Sequence, residues 1–198
     1  MLNGGVLQLH HPDGQVFRFE PGSLAFAFSV TGAPFDSDRF ETLREPTDLE
    51  RWAAEVLGAN GVRATASSVR EARRLRAAIW SAADAVIDGG AVLASDRSTL
   101  NRLAAAPSLV PRLDPDGTQS WEPSAGASAL LSTVARDMIE VVTGQLASRI
   151  GRCQGVNCAI PFVDTSRPGT RRWCSMERCG NRAKVAAHRR RHRQEVST

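Results

Sequence analysis

The sequence contains no apolar run as long as the ~18 residues that span a membrane, and its first fifteen residues lack the basic start and apolar middle of a signal peptide. Cysteine is absent from the first 152 positions. The chain has no internal repeat and no long low-complexity linker. These absences argue against a membrane protein and against a secreted disulfide scaffold, and they predict a cytoplasmic protein.

Lysine is almost absent, with Lys184 as its single instance, so arginine carries nearly all of the positive charge. The basic residues are concentrated near the C-terminus. Residues 149–198 hold twelve basic and three acidic side chains, a net charge of +9, whereas residues 1–148 carry a net charge of −5. A basic segment beside a mildly acidic body indicates that the C-terminal segment binds a polyanion.

Composition and length suggest two folded units. Hydrophobic residues make up 42% of the chain and charged residues 23%, as in ordinary globular proteins, so extended disorder is not expected. The length is sufficient for one ordinary core and a small additional module. We therefore predict an α+β protein with a mainly helical domain over residues 1–148 and a metal-binding module over residues 149–198.

Patterning predicts a small β-meander at the start of the chain. Residues 6–10 and 16–20 alternate apolar and polar side chains around a Pro-Asp-Gly turn at positions 12–14, which is typical of a hairpin. Residues 24–30 alternate in the same way, so a third strand is expected there.

Helical periodicity dominates the rest of the first domain. A capping-box pattern at Thr47 and Glu50 predicts a helix that ends at Gly58. A second Pro-Asp-Gly turn predicts another hairpin, between residues 109–113 and 118–121. The predicted helices run over residues 47–57, 68–87, 95–106 and 124–147.

The four cysteines follow the spacing Cys153-x4-Cys158-x15-Cys174-x4-Cys179. Each short spacing lets one local turn offer two sulfur atoms to a tetrahedral ion. The pattern therefore predicts a structural site for one Zn²⁺. Catalytic zinc is disfavoured, because four sulfur ligands leave no coordination position for water.

The residues around the cysteines predict the fold of this module. Phe162 and the turn sequence at 167–169 indicate a short hairpin between the two pairs, and Ser175 begins a predicted helix that runs to about Arg193. A treble-clef finger is the predicted arrangement, and a zinc ribbon is the alternative. The expected module core is Ile160, Phe162, Val163, Trp173, Met176 and Val185. So small a core should be unfolded without metal.

Residues 171–184 contain the run Cys179-Gly180-Asn181-Arg182 and resemble the bacterial CGNR zinc finger, which is named for this run. Residues 162–166 resemble the middle of the same finger. The resemblance implies a transcription regulator in which an N-terminal ABATE-like domain, described as a stress-induced ligand-binding domain, precedes the finger. Residues 24–31 depart from the Leu-Ala-Leu-Asp-Phe-x-Asn-Thr pattern of that domain, since the Asp and the Asn are missing, which implies that a ligand site built on them is altered or absent.

The basic residues of the module are the predicted DNA contacts. Consecutive arginines after position 188 suit phosphate binding, because they spread around a helix. Asn181 and Arg182 have two interpretations: they read base edges, or they are structural, with Asn181 bonded to backbone near the metal and Gly180 allowing close approach to a sulfur. The predicted set is Arg171, Arg172, Arg178, Asn181, Arg182, Lys184, Arg189, Arg190, Arg191 and Arg193.

A zinc-finger transcription regulator is thus the predicted function, and a zinc-stapled module that binds RNA or protein is the alternative. Enzymatic activity is not expected, because the sequence offers no nucleophile and base pair, phosphate-binding loop or open metal site. DNA, a small ligand of the first domain and a second copy of the chain are the expected partners. Four phenylalanines (Phe17, Phe19, Phe26 and Phe28) suggest a mainly apolar ligand pocket in that domain, with a filled core as the alternative.

Overall fold

The computed structural model describes residues 4–34, 37–122 and 126–196 and shows an α+β fold. The α-helices are α1 (Leu24–Ser29), α2 (Ser37–Phe40), α3 (Pro46–Leu57), α4 (Ala66–Ile87), α5 (Ala94–Ala104), α6 (Ala127–Thr143) and α7 (Asn181–Val196). A 3-10 turn lies at Ala147–Arg149 and a π-helical turn at Met176–Gly180. Among the described residues, no helix is both long enough and apolar enough to cross a membrane.

The strands form three separate antiparallel pairs. They are β1 (Leu7–His10) with β2 (Val16–Phe19), β3 (Pro111–Leu113) with β4 (Gln119–Trp121), and β5 (Ile150–Arg152) with β6 (Pro161–Val163). In the first pair Leu9 lies opposite Phe17 and Leu7 opposite Phe19. Both hairpins predicted from Pro-Asp-Gly turns are confirmed.

Helix α4 is the centre of the main core. Its buried side, which includes Leu75 and Ile79, packs against α1, α3, α5 and α6. Full burial of one such side chain contributes about 1.5–3 kcal/mol. Thr65 caps the helix and accepts a hydrogen bond from the backbone N of Ser68, so α4 begins slightly before the predicted start.

Residues 24–29 form a helix, so the predicted third strand is wrong. The alternating large side chains and the small residues between them are all buried, and a helix enclosed on every side has no polar face to reveal its period. Ser23 accepts a hydrogen bond from Phe26 N at the start of α1. Asp137 of α6, also buried, accepts a second one from Ala25 N at 2.8 Å.

Two other predicted boundaries differ from the structure. The capping box of α3 joins Glu45 and Asp48 rather than Thr47 and Glu50, although Gly58 ends the helix as predicted, with a φ of 69°. Helix α6 spans Ala127–Thr143, and the predicted start at Ser124 lies outside the described residues.

Candidate metal centre and nucleic-acid interface

The β5–β6 hairpin presents the first cysteine pair. Cys153 directly follows β5, Cys158 lies shortly before β6, and Cys153 N donates to Ile160 O to close the loop. The predicted hairpin between the two cysteine pairs is therefore wrong, because the partner of β6 precedes Cys153 instead of following Cys158. The second pair lies on the other side of the site, with Cys174 ahead of the π-helical turn and Cys179 within it.

The four sulfur atoms are arranged as a tetrahedral metal site requires. All of them lie within 4.8 Å of one another, and both Cys158–Cys174 and Cys174–Cys179 have Sγ–Sγ distances of 3.7 Å. A Zn–S bond of about 2.3 Å places tetrahedral sulfurs about 3.8 Å apart, whereas a disulfide needs about 2.05 Å. The cluster thus fits a single zinc ion. Hydrogen bonds among the four thiols lower the pKa of Cys153 but raise the pKa of Cys158 and of Cys174, so zinc has to displace protons from this cluster when it binds.

Small residues and one strained residue shape the first knuckle. Gly155 N donates to Cys153 Sγ at 3.4 Å, and a Cβ at Gly155 would lie 2.7 Å from Cys179 Sγ. Asn157 adopts a φ of 58°, which is uncommon for a residue with a side chain. The close approach of the loop to the sulfur atoms therefore depends on the missing Cβ of Gly155 and on a residue at 157 that tolerates left-handed backbone.

The second knuckle continues directly into α7, and the π-helical turn at the start of this helical segment supplies the last ligand, as in a treble clef. A Cβ at Gly180 would lie 2.6 Å from Met176 Sδ and 3.2 Å from Trp173 Cδ1, so the half-exposed Met176 side chain would have to move. Asn181 is exposed, and its Nδ2 donates to Glu177 O at 3.2 Å. The bond to Glu177 O fits the structural interpretation of Asn181, whereas the sulfur next to Gly180 belongs to Met176 and not to a metal ligand.

Two of the arginines predicted to contact DNA are used inside the protein. Arg178 is only 4% exposed and forms an ion pair with Asp13, with an Nη2–Oδ2 distance of 2.9 Å. Arg171 lies 4.2 Å from the centre of the Phe162 ring and donates to Cys174 O at 2.6 Å. Their positions do not support the predicted role in DNA binding, since neither guanidinium group is directed to solvent.

The other predicted contacts lie on the surface. Arg172 is exposed, stacks over the Trp173 ring and donates to Gln154 Oε1 at 2.8 Å. On α7, the exposed basic residues are Arg182, Lys184, Arg189, Arg190 and Arg191. Arg193 belongs to the same helix, but its side chain lies outside the described set.

Helix α7 makes few contacts with the rest of the described chain and carries many exposed basic side chains. In the described part of the chain, it packs extensively only against the π-helical turn that precedes it. None of its described basic side chains takes part in an ion pair. Three of the four arginines of α4 differ, because Arg73 and Arg76 pair with Glu41, and Arg74 pairs with Glu71.

The four phenylalanines expected to line a pocket are divided between two cores. Phe26 and Phe28 belong to the main core, where Phe28 contacts Trp52 edge to face with ring centres 4.9 Å apart. Phe17 and Phe19 belong to a second core that includes three of the cysteines. Phe19, Phe26 and Phe28 are fully buried in these two cores, and Phe17 is the one ring of the four that borders a groove.

This broad groove lies between the helical body and the finger. Its volume is about 1160 Å³, and it borders the β1–β2 hairpin, the C-terminal end of α1, α3 and the first zinc knuckle. Trp52 and Val56 line its body side, Ile160 lines its finger side, and Arg182 lies at its margin. No local pattern in the sequence indicates this groove, because its walls come from distant parts of the chain.

Comparison with known proteins is consistent with this geometry. The model of the ABATE family, described as "Putative stress-induced transcription regulator", matches residues 22–145, more than half of the chain. The model of the CGNR zinc finger matches residues 149–192 and so includes all four cysteines. A search of curated proteins finds no match.

Proposed function

Because the chain belongs to the ABATE family and carries a CGNR zinc finger, we propose that it is a transcription regulator that binds duplex DNA through α7. The observation that carries the proposal is the free cationic surface of this helix. Between residues 182 and 193 the sequence has six arginine or lysine side chains and no acidic one. An α-helix 10–12 Å across fits the major groove, which is about 12 Å wide.

The proposed DNA contacts are of two kinds, which occupy different positions on α7. Arg189, Arg190 and Arg191 are consecutive and point in different directions around the helix, which suits phosphates on both sides of a groove. Arg182 and Asn181 lie at the N-terminal end, where a treble-clef helix emerges from its metal site. We assign base reading to Arg182, since arginine recognises the O6 and N7 acceptors of guanine.

Salt dependence of DNA binding tests this proposal. The double variant Arg190→Ala/Arg191→Ala should lower the slope of log affinity against log salt concentration by about 1.8, because each lost phosphate contact removes about 0.9. Arg74→Ala is the matched control, since this exposed arginine of α4 already pairs with Glu71. Fluorescence anisotropy with a labelled duplex at several salt concentrations gives the slopes. An unchanged slope in the double variant contradicts the proposed surface.

Recognition of RNA is the alternative outcome of the same experiment. A structured RNA that displaces duplex DNA from the zinc-loaded full chain at equal salt would favour the RNA-binding module. For Arg182→Ala, base reading predicts a loss of about 1–3 kcal/mol at one preferred sequence and little change on random DNA. An equal loss on both kinds of DNA reassigns Arg182 to a phosphate.

We further propose that the groove between body and finger holds the ligand that the regulator senses. Its volume exceeds what a small organic molecule needs, and its apolar side chains would supply most of the contact. Native mass spectrometry of the purified protein should reveal a bound small molecule that Val56→Arg removes. Leu113→Arg, on the exposed tip of the β3–β4 hairpin, is the control. A bound small molecule that is still present in Val56→Arg would place the ligand outside the groove. If the wild type carries no bound small molecule, the ligand is removed from the proposal.

No catalytic step is part of this proposal. Four cysteine sulfurs fill the coordination shell of one zinc ion, and the metal would therefore act by holding the finger together. The residues that hold it are Cys153, Cys158, Cys174 and Cys179.

A further inference from the structure

Arg178 links the zinc site to the far end of the chain. It directly precedes the ligand Cys179, and it donates to both carboxylate oxygens of Asp13, at 3.2 and 2.9 Å, and to Gln15 Oε1 at 2.5 Å. Its guanidinium group also lies 5.6 Å from the centre of the Phe17 ring. All three partners belong to the β1–β2 hairpin. A buried guanidinium with this set of partners has one well-defined position, and it fixes the backbone next to Cys179.

The same hairpin is fastened to the finger at two other points. Glu177 Oε2 accepts a hydrogen bond from Arg18 N at 2.9 Å, on the edge of β2 that does not face β1. Arg171 donates from Nη1 to Glu20 O at 2.7 Å. The π-helical turn that carries the last ligand therefore lies along the free edge of β2.

Hydrophobic packing joins the β1–β2 hairpin to the finger as well. Phe17 and Phe19, which point to the same side of β2, form one buried cluster with Cys153, Cys174 and Cys179. The expected core residues Met176 and Val185 are about half exposed instead, at 52% and 49%. The finger contributes Phe162 to this cluster and the hairpin contributes Phe17 and Phe19, so the hairpin completes the apolar enclosure of the metal site.

We propose that the β1–β2 hairpin is an integral part of the zinc-binding unit, with Arg178 as a positioning residue for Cys179 and Asp13 as its anchor. The family models begin at residues 22 and 149, so neither includes the hairpin. This inference does not depend on DNA binding. It predicts that tight zinc binding requires residues that lie 134 to 146 positions before the first cysteine.

The second hairpin of the protein provides a matched control for Asp13. Asp13 and Asp116 occupy the same place in two Pro-Asp-Gly turns, and each Oδ1 accepts a backbone hydrogen bond from the residue two positions later, at 3.1 Å from Gln15 and 3.0 Å from Thr118. Replacement of either aspartate by alanine removes that turn bond. Only Asp13→Ala also leaves the buried Arg178 without its ion-pair partner.

Zinc affinity of the full chain, measured by competition with a chromogenic chelator, tests the proposal. Asp13→Ala should weaken zinc binding about tenfold, as loss of groups that orient metal ligands typically does, while Asp116→Ala should leave it unchanged. Hydrogen exchange should show β1 and β2 losing protection in Asp13→Ala and on removal of zinc from the wild type. Equal zinc affinities for the two alanine variants would overturn the proposal.

Exchanging the charges of Arg178 and Asp13 distinguishes a positioning role of this ion pair from general damage to the fold. Arg178→Asp should weaken zinc binding more than Asp13→Ala does, because it also places a carboxylate opposite Asp13. The double variant Arg178→Asp/Asp13→Arg restores an ion pair of opposite polarity and should recover part of the lost affinity. If the double variant binds zinc no more tightly than Arg178→Asp, the effect of these two residues does not come from their contact with each other.

Discussion

Asp137 gives a pH-dependent test of the fold that needs neither zinc nor DNA as a readout. Burial raises the pKa of this carboxyl group from 3.8 to about 6, although the backbone N of Ala25 donates to it at 2.8 Å. Glu140, one turn further along α6, raises the pKa as well. A pKa difference of about two units between folded and unfolded chains corresponds to about 3 kcal/mol.

The sign follows from the direction of the shift. Because the folded-state pKa is higher than the unfolded one, protonated Asp137 favours the folded state below about pH 4, and this contribution is lost as the pH rises through about 6. The amide introduced by Asp137→Asn cannot ionise. The free energy of unfolding of this variant, relative to the wild type, should therefore rise by about 3 kcal/mol between about pH 4 and about pH 7.5, on top of a constant cost for altered hydrogen bonding.

Urea denaturation at four pH values, followed by far-UV circular dichroism, measures this difference. Zinc binding also depends on pH, but it affects both proteins equally and cancels in the comparison. Asp116→Asn is a control of opposite sign, since hydrogen bonds from Thr118 lower the pKa of Asp116. A difference between Asp137→Asn and the wild type that stays constant with pH would refute the burial argument.

Two further predictions concern the metal site. Elemental analysis of the wild type should give one zinc per chain, and Cys174→Ser should abolish zinc binding. In this variant hydrogen exchange should show lost protection in the finger but not in α4, because the main core does not depend on the metal. Two zinc ions per chain in the wild type would contradict the single-site geometry. Gly155→Ala should speed zinc release to a chelator, since its Cβ would lie 2.7 Å from Cys179 Sγ. Gly126→Ala is the control and should leave the release rate unchanged, because its Cβ would meet nothing within 4 Å. Equal release rates for the two variants would mean that the knuckle shifts freely.

The sequence was most informative where the interaction is local. Each pair of cysteines is separated by four residues, so one turn decides where both sulfurs lie, and the predicted cluster is confirmed. The capped helices and the Pro-Asp-Gly hairpins depend in the same way on neighbouring residues. Residues 24–29 lack such a signal, because a helix that is buried on all sides can show the same alternation of large and small side chains as a strand.

Long-range partners could not be predicted from local patterns. Arg178 looks like the other arginines of a basic segment, and only the fold brings Asp13, 165 positions earlier, next to it. The pairing of β6 was misjudged for a related reason. Residues that flank a turn sequence at 167–169 suggested a local hairpin, whereas the observed partner lies before the first knuckle.

The contacts between finger and body bear on how the proposed regulator would respond to a ligand. Arg152 bonds to Asp84 and Asp88 at the end of α4, and Val163 N donates to Pro21 O ahead of α1. The finger is thus held by the body, and α7 follows directly from the finger's last turn. The groove lies between the finger and the body. A ligand that widens or narrows the groove must therefore also strain the contacts that hold the finger to the body, or rotate α7. In the proposed regulator, ligand binding and DNA binding would therefore be coupled through the docked finger, without a flexible linker between them.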